Sequence, residues 1–261
     1  MASKPMPVSP MSDNPAQARR LALLNLSLAA LFLALIPGAF VLVDAHPWAM
    51  AFTIPVNACA FTGLFILAHE AIHGTLLPGF PRVGHALGRL FATVYALVDY
   101  DLLRENHWKH HGFVATDRDP DFDGEGRLLL HAARFLGRYL RWYAIPLLAL
   151  AGHLVGQAGH TAAMLGAYVV PVLLSTLVVF TVGIHLVHHP ELLRTRASGD
   201  ANRAVCIDLG RIGSALVILN FNVHWHHHAH PRLSWWELGA CLSDEPVRVS
   251  PRDAWRVLRF F

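Results

Sequence analysis

Thr62-Gly-Leu-Phe-Ile-Leu-Ala-His69-Glu-Ala-Ile-His73-Gly74 begins as an apolar run and closes on two histidines one helical turn apart. Residues three and four apart on an α-helix project from one face. A membrane span that ends this way aims both imidazoles at one point just outside the lipid. Two further clusters share the spacing, His107-x-x-His110-His111 and His224-x-x-His227-His228, with another match at His185-x-x-His188-His189. At roughly 7% histidine, chance placement supplies only about 0.1 copies of H-x-x-H-H in a chain this long. Imidazole ligates iron, copper, nickel and zinc rather than magnesium or calcium. The eight rings of the three main clusters are enough for more than one such ion.

Composition says where the clusters sit. Hydrophobic residues make up 54% of the 261 and charged residues 15%, with a mean hydropathy of +0.39, too apolar for an ordinary soluble domain. Leu21 to Val43 and Trp48 to Leu67 are long enough to cross a bilayer, the second with Pro55 and Asn57 inside it. A second pair is expected at Trp142 to Gly156 and Thr161 to Ile184, with Pro146 and Pro171 as kinks. Ala86 to Val98 is apolar but too short to cross, which predicts an interfacial or re-entrant segment. The expectation is an all-α integral membrane protein with four transmembrane helices in two hairpins.

The charges give an independent reading. Of 21 Lys and Arg, 3 lie at or before Arg20, 9 from Arg82 to Arg141 and 9 from Arg194 to Arg259. None falls in the four expected spans or their short connections. The positive-inside rule then puts both termini and all the histidine clusters on the cytoplasmic side, in a helical cap resting on the helix ends. Residues 1–20, rich in proline, are expected to form a flexible tail, and 21–261 a single membrane domain. The apolar run from Leu21 is too long for a cleaved signal peptide. Cys59, Cys206 and Cys241 lack C-x-x-C spacing, so neither a disulfide framework nor a zinc ribbon is indicated. The net charge of +3 follows from arginines near lipid head groups and does not call for a nucleic-acid partner.

The ordered clusters between paired spans resemble the histidine boxes of the membrane-bound fatty acid desaturase superfamily, and the flanks are most similar to its β-carotene ketolase branch. The first box carries the likeness from Thr62 to Gly74. The second runs from Tyr100 through His107-Trp-Lys-His110-His111 into Asp119-Pro-Asp-Phe122. The third, His224-Trp-His-His227-His228-Ala-His230-Pro231, is followed by Trp235-Trp236-Glu-Leu238. Glu70, Ile72 and His226 stand where ketolases usually carry Asp, Met and Glu.

The resemblance implies two non-haem iron ions held by His69, His73, His107, His110, His111, His188, His224, His227 and His228. His185 and His189 are rivals for the place of His188. It also implies O2 as co-substrate, electrons from a ferredoxin-type redox donor protein, and a lipophilic substrate reached from membrane lipid. For a ketolase, that substrate is a carotenoid whose ring carbon is hydroxylated twice and loses water. Attack on such a C–H bond needs an oxidant stronger than any side chain, which a redox metal and O2 supply. Ligating imidazoles donate their second N–H to carboxylates or carbonyls, and Glu70, Asp99, Asp119 and Asp121 are candidates for that support. His46, His85, His131, His153 and His160 read as isolated interfacial or hydrogen-bonded residues. Trp235 and Trp236 read as a membrane-belt anchor.

Other readings remain open at this point. A fatty acyl chain satisfies the same boxes, which makes an acyl-lipid desaturase the alternative. His69-Glu-Ala-Ile-His73 is also an H-E-x-x-H motif, in which a zinc protease uses the Glu as general base. That function would leave two clusters without purpose. A metal transporter would place polar groups within the spans, and these are nearly bare. Soluble carboxylate-bridged di-iron bundles need two Glu-x-x-His motifs, and Glu70-x-x-His73 is the only one.

Overall fold

The computed structural model describes residues 13–196 and 202–258; most of the expected N-terminal tail lies outside them. Helix α1, Pro15–Ala45, starts six residues before Leu21 because Asn14 caps it. The Asn14 side chain accepts from the Ala16 and Gln17 amides, and Pro15 opens the first turn. Helix α2, Met50–His73, runs antiparallel beside α1 and is the axis of the molecule. Every residue from Ala60 to Ile72 is buried, so an uninterrupted apolar sequence is here a helix covered on all sides. Gly74 ends it in the left-handed region, at φ 77°, which a side chain would disfavour.

Helix α3, Pro81–Ala96, is the short amphipathic segment expected near Ala86 to Val98, and it packs along α2. Helix α4, Tyr100–Phe113, is capped by Asp99, which accepts from the amides of Asp101 and Leu102. Helices α5, Leu128–Tyr139, and α6, Ala144–Gln157, lead to α7, Thr161–His185. Wide π turns interrupt α7 at Leu165–Val169 and Thr181–His185. Beyond α7 lie the short helices α8 (Pro190–Arg196), α9 (Gly210–Ile218), α10 (His224–Ala229), α11 (Trp235–Cys241) and α12 (Pro251–Arg256). A parallel pair of two-residue strands, β1 (Cys206–Ile207) and β2 (Arg248–Val249), ties this C-terminal region together.

By length and composition, α1, α2 with its leading turn, and α7 can each cross a membrane. The remaining expected span, Trp142 to Gly156, coincides with α6, which has only 14 residues, about 21 Å at the α-helical rise. The far ends of the helices are joined by His160, whose Nδ1 lies 2.6 Å from Asp44 Oδ1 in the last turn of α1. At the other end, the Asp99 amide donates to the Tyr139 carbonyl. Between α2, α3 and α7, the hydroxyls of Thr62, Ser175, Tyr95 and Thr176 form one buried hydrogen-bonded chain. No hydroxyl in that chain is left without a partner in an apolar layer.

Asn25 binds α1 to the region beyond α2. Fully buried, it donates to the carbonyls of Thr75 and Leu76 and accepts from the Trp235 indole N–H. Asn25→Leu keeps the volume but strands two carbonyls and an indole N–H, each worth about 1–3 kcal/mol. Thermal denaturation in detergent should therefore show a larger loss for Asn25→Leu than for Asn14→Ala, which removes only an exposed cap worth about 1 kcal/mol.

Candidate metal centre

Four segments deliver histidines to one place. The last turn of α2 carries His69 and His73, the second half of α4 carries His107, His110 and His111, and α10 carries His224, His227 and His228. The fourth contribution comes from the exit of α7. There the π turn at Thr181–His185 changes the helical register, and the chain bends until His188 faces the other rings. All nine expected positions converge. His69, His73, His107 and His227 form one group, and His110, His188, His224 and His228 a second, with ring nitrogens in each within 4.8 Å of one another. His111 stands between them, its Nε2 3.1 Å from Nε2 of both His107 and His227 and its ring 4.5 Å from that of His228.

Hydrogen bonding at the far nitrogens fixes where the lone pairs point. His188 Nδ1 donates to the Arg203 carbonyl at 3.0 Å and His224 Nδ1 to the Phe221 carbonyl at 3.1 Å. Each ring therefore has its proton on Nδ1. Burial, with the neighbouring rings, holds His224 well below the ordinary imidazole value and brings His188 down to about 3. Both are thus neutral, with a bare Nε2 lone pair aimed at the group. His188 Nε2 is buried without any hydrogen-bond partner. An unpaired buried acceptor is costly, and a cation held by nitrogen ligands removes that cost. His73 and His107 Nε2 approach to 2.7 Å and His69 and His107 to 3.1 Å. Such separations suit ligands about 2.1 Å from a shared ion. The donor set is all imidazole, so a late first-row transition metal fits it and calcium or magnesium does not.

His110 is held differently. Both oxygens of Asp119 lie within 2.9 Å of its Nδ1, and Asp119 also accepts from the amides of Ala115 and Asp121. Burial works to lower the His110 ring, but the Asp119 hydrogen bond and charge outweigh it and raise the ring above its ordinary value. Burial alone would raise Asp119, and its bond to His110 holds it below the ordinary carboxylate range. Of the four acids considered from sequence, Asp119 is the one that supports a cluster histidine directly. Asp99 caps α4. Asp121 accepts from Tyr139 OH at 2.6 Å and faces the cavity beside the rings.

Glu70 turns away from the centre. Its carboxylate accepts from Thr75 Oγ1 at 2.7 Å and from the Trp235 amide at 3.2 Å, in a fully buried clamp between α2 and α11. A general base of the H-E-x-x-H type must face the metal, so the protease reading loses its base. The expectation of a tryptophan belt needs dividing. Trp235 is 6% exposed and held by Asn25 and Glu70, a core residue, whereas Trp236 is 56% exposed and remains at the surface. His226 faces Glu245 at 2.7 Å, away from the cluster. His185 pairs with His131 through their Nδ1 atoms at 2.9 Å. His131 therefore has a buried partner that spacing gave no sign of, because its partner lies 54 residues away.

A narrow cavity of about 30 Å³, room for about one water, adjoins the rings, walled by Phe65, Ile72, Leu103, Phe135, Ile184 and Phe221. Phe221 touches His69, His224 and His227 and packs on Gly183, where a Cβ would lie 2.6 Å from its ring.

Comparison with known proteins agrees with this geometry. The family model for fatty acid desaturase matches residues 45–150 and 125–246. The chain belongs to the fatty acid desaturase family. Within that family its relatives are ketolases, which places it in the ketolase branch of these oxidoreductases. It is 35% identical to a zeaxanthin 4-ketolase of Chlamydomonas reinhardtii over 69% of this chain, but spans only 41% of that protein. A beta-carotene ketolase of Paracoccus sp. (strain N81106 / MBIC 01143) is 33% identical over 67% of this chain and 72% of its own. That of Paracoccus sp. (strain PC1) is 31% identical over 82% and 90%. With its apolar helices, membership makes this a membrane protein.

Two substitutions probe the site. Asp119→Asn should weaken metal retention by about 10- to 100-fold, read as metal per chain after dialysis against graded chelators; unchanged retention would remove Asp119 from its supporting role. Gly183→Val should displace Phe221, whose carbonyl holds His224, and metal retention in the same dialysis series should fall about tenfold or more; retention equal to the parent's would remove Phe221 from its supporting role.

Proposed function

We propose that the chain is a membrane-bound non-haem di-iron oxidoreductase that uses O2 to oxidise a ring methylene of a carotenoid to a ketone. The carrying observation is the pair of four-imidazole groups beside an apolar cavity. In this reading His69, His73, His107 and His227 hold one iron, His110, His188, His224 and His228 the other, and His111 completes the set between them. Iron is preferred among imidazole-binding metals because the chemistry needs a redox ion. The printed names of the ketolase relatives support a carotenoid substrate. The reaction balances as ring CH2 plus two O2, four electrons and four protons giving a ring ketone and three waters. The bound irons would supply O2 activation, and a ferredoxin-type donor the electrons.

The residues of the chain do the positioning. Phe65, Ile72, Leu103, Phe135, Ile184 and Phe221 wall a narrow apolar cavity and would have to part to admit an apolar ring to the histidine face, closing round it to keep water out. Arg203, Phe221 and Asp119 hold the proton on Nδ1 of His188, His224 and His110, leaving each Nε2 for metal.

We also read the topology as four spans in two hairpins, with both termini and a helical cap on the cytoplasmic side. The contact of His160 with Asp44 puts the start of α7 level with the far end of α1, while Tyr139 lies near the histidines through Asp121. In this reading the chain between them crosses the same layer by way of α6, a shorter apolar helix. A short span of this kind is accommodated by local thinning of the bilayer, with the exposed Trp142 and Tyr143 at one interface. We read 21–261 as one domain, a reading supported by the convergence of histidines from α2, α4, the exit of α7 and α10 on one centre.

Expression in cells that accumulate β-carotene tests the reading. A ketone-bearing pigment is expected, and His107→Ala or His227→Ala should abolish it with lowered iron, whereas the exposed His153→Ala should not. Altered fatty acid unsaturation without ketone would move the assignment to an acyl-lipid desaturase, and equal loss from all three substitutions would break the ligand assignment.

A further inference from the structure

Among the described residues, two aromatic rings other than histidine touch the nine convergent imidazoles. Phe221 is buried and lies on the cavity side. Trp108 lies on the outside, its ring 5.1 Å from that of His73 and 5.7 Å from that of His111, and is 46% exposed. It extends the partly exposed His73 and His111 edge of the cluster toward solvent. An indole left half in water on a charged helix usually marks a partner site, since tryptophan is enriched among the residues that carry binding energy.

The surroundings specify the partner. Trp108 lies in a groove along α4 with Asp101, Arg104, Glu105, Lys109 and Phe113, and Phe113 is also exposed. The Arg118 guanidinium stands 5.6 Å over the Phe113 ring. Asp101 is already bonded to Arg89 and Glu105 to Lys109. Arg104 and Arg118 have no carboxylate partner among the described residues, and Asp117, exposed beside Arg118, offsets only part of their charge. More widely, Asp119, Asp121, Asp123, Glu237 and Glu245 are buried, which leaves the exposed charge of the histidine-bearing segments in cationic excess. Aromatic centre and cationic rim together fit an acidic protein surface.

We propose that Trp108, flanked by Arg104, Phe113 and Arg118, is the docking point at which an acidic one-electron carrier of the iron–sulfur class reduces the metal centre. The inference rests on the oxygenase reading above. Each C–H hydroxylation takes two electrons per O2, and imidazole, carboxylate and indole side chains do not store them. At each visit the carrier's cluster is oxidised by one electron and a ferric ion of the centre is reduced to ferrous by that electron, so two visits serve one O2. Substrate from the membrane meets the Phe221 side and the carrier meets the Trp108 side, so neither blocks the other. Trp108 is a docking and positioning residue and does not touch the reacting carbon.

The test uses the full chain in lipid nanodiscs and a plant-type [2Fe–2S] ferredoxin as probe. Binding, measured by interferometry on metal-free protein, should be transient, weaken steeply with added salt, and weaken about tenfold in Arg104→Glu/Arg118→Glu and in Trp108→Leu. Arg256→Glu, on the distant α12, should bind as the parent does. On iron-loaded protein, the ratio of ferredoxin-driven to dithionite-driven product should fall about tenfold in both α4 variants and recover largely in Trp108→Phe. Because it is a ratio, it separates electron delivery from a damaged fold. Affinities and ratios indistinguishable from the parent would overturn the docking point alone. Absence of product from the parent with either reductant would instead overturn the oxygenase reading, and this inference with it.

Discussion

The structure depends on packing nine imidazoles so closely that ring nitrogens of neighbouring histidines stand 3.1 Å apart. Unprotonated nitrogens about 3 Å apart repel unless a cation lies among them, so the apo fold must keep the rings in place by other means. It does so with a different device on each segment. The last turns of α2 are buried on every side and stopped by Gly74, α4 is capped by Asp99 and braced through Asp119, and His188 and His224 are pinned by the Arg203 and Phe221 carbonyls. None of these supports relies on the metal. The rings are preorganised, which is what the two-ion site proposed above would require.

The sequence revealed those parts that depend on local spacing. Histidines three and four apart on α2, α4 and α10 share a face whatever the tertiary structure does, and lysine and arginine avoid lipid wherever the spans lie. What was not legible depends on non-local geometry. His185, His188 and His189 could not be separated by spacing, because the π turn before them shifts the register by a residue that no local pattern announces. Trp235 and Trp236 are chemically identical neighbours, and only the arrival of Glu70 and Asn25 from helices far away in the chain makes one of them core. The short α6 reflects the same limit. Residues Trp142 and Tyr143 are apolar enough to extend a hydropathy window but stand outside the helix.

Glu70 carries the most instructive misreading that the sequence invites. On composition it belongs to an H-E-x-x-H motif, yet both of its oxygens are engaged by Thr75 and Trp235 on the side away from the rings. It is therefore part of what fixes the helix end that delivers His69 and His73. Motif identity rests on the spacing of ligands, but the role of the acid between them is decided by which donors reach it first.

The centre is approached from three sides, and each has been given a different surface. The apolar cavity meets the membrane-embedded helices, the Glu70–Trp235–Asn25 clamp closes the side toward α1, and the Trp108 groove opens toward water. The oxidising centre proposed above would gain from this division, because a single shared opening would admit water to the substrate face whenever a reductant approached. Burying acids such as Asp119 and Asp121 serves the same end. Their negative charge would stabilise a cationic centre from within, and their removal from the surface leaves outside the cationic excess on which the proposed docking rests.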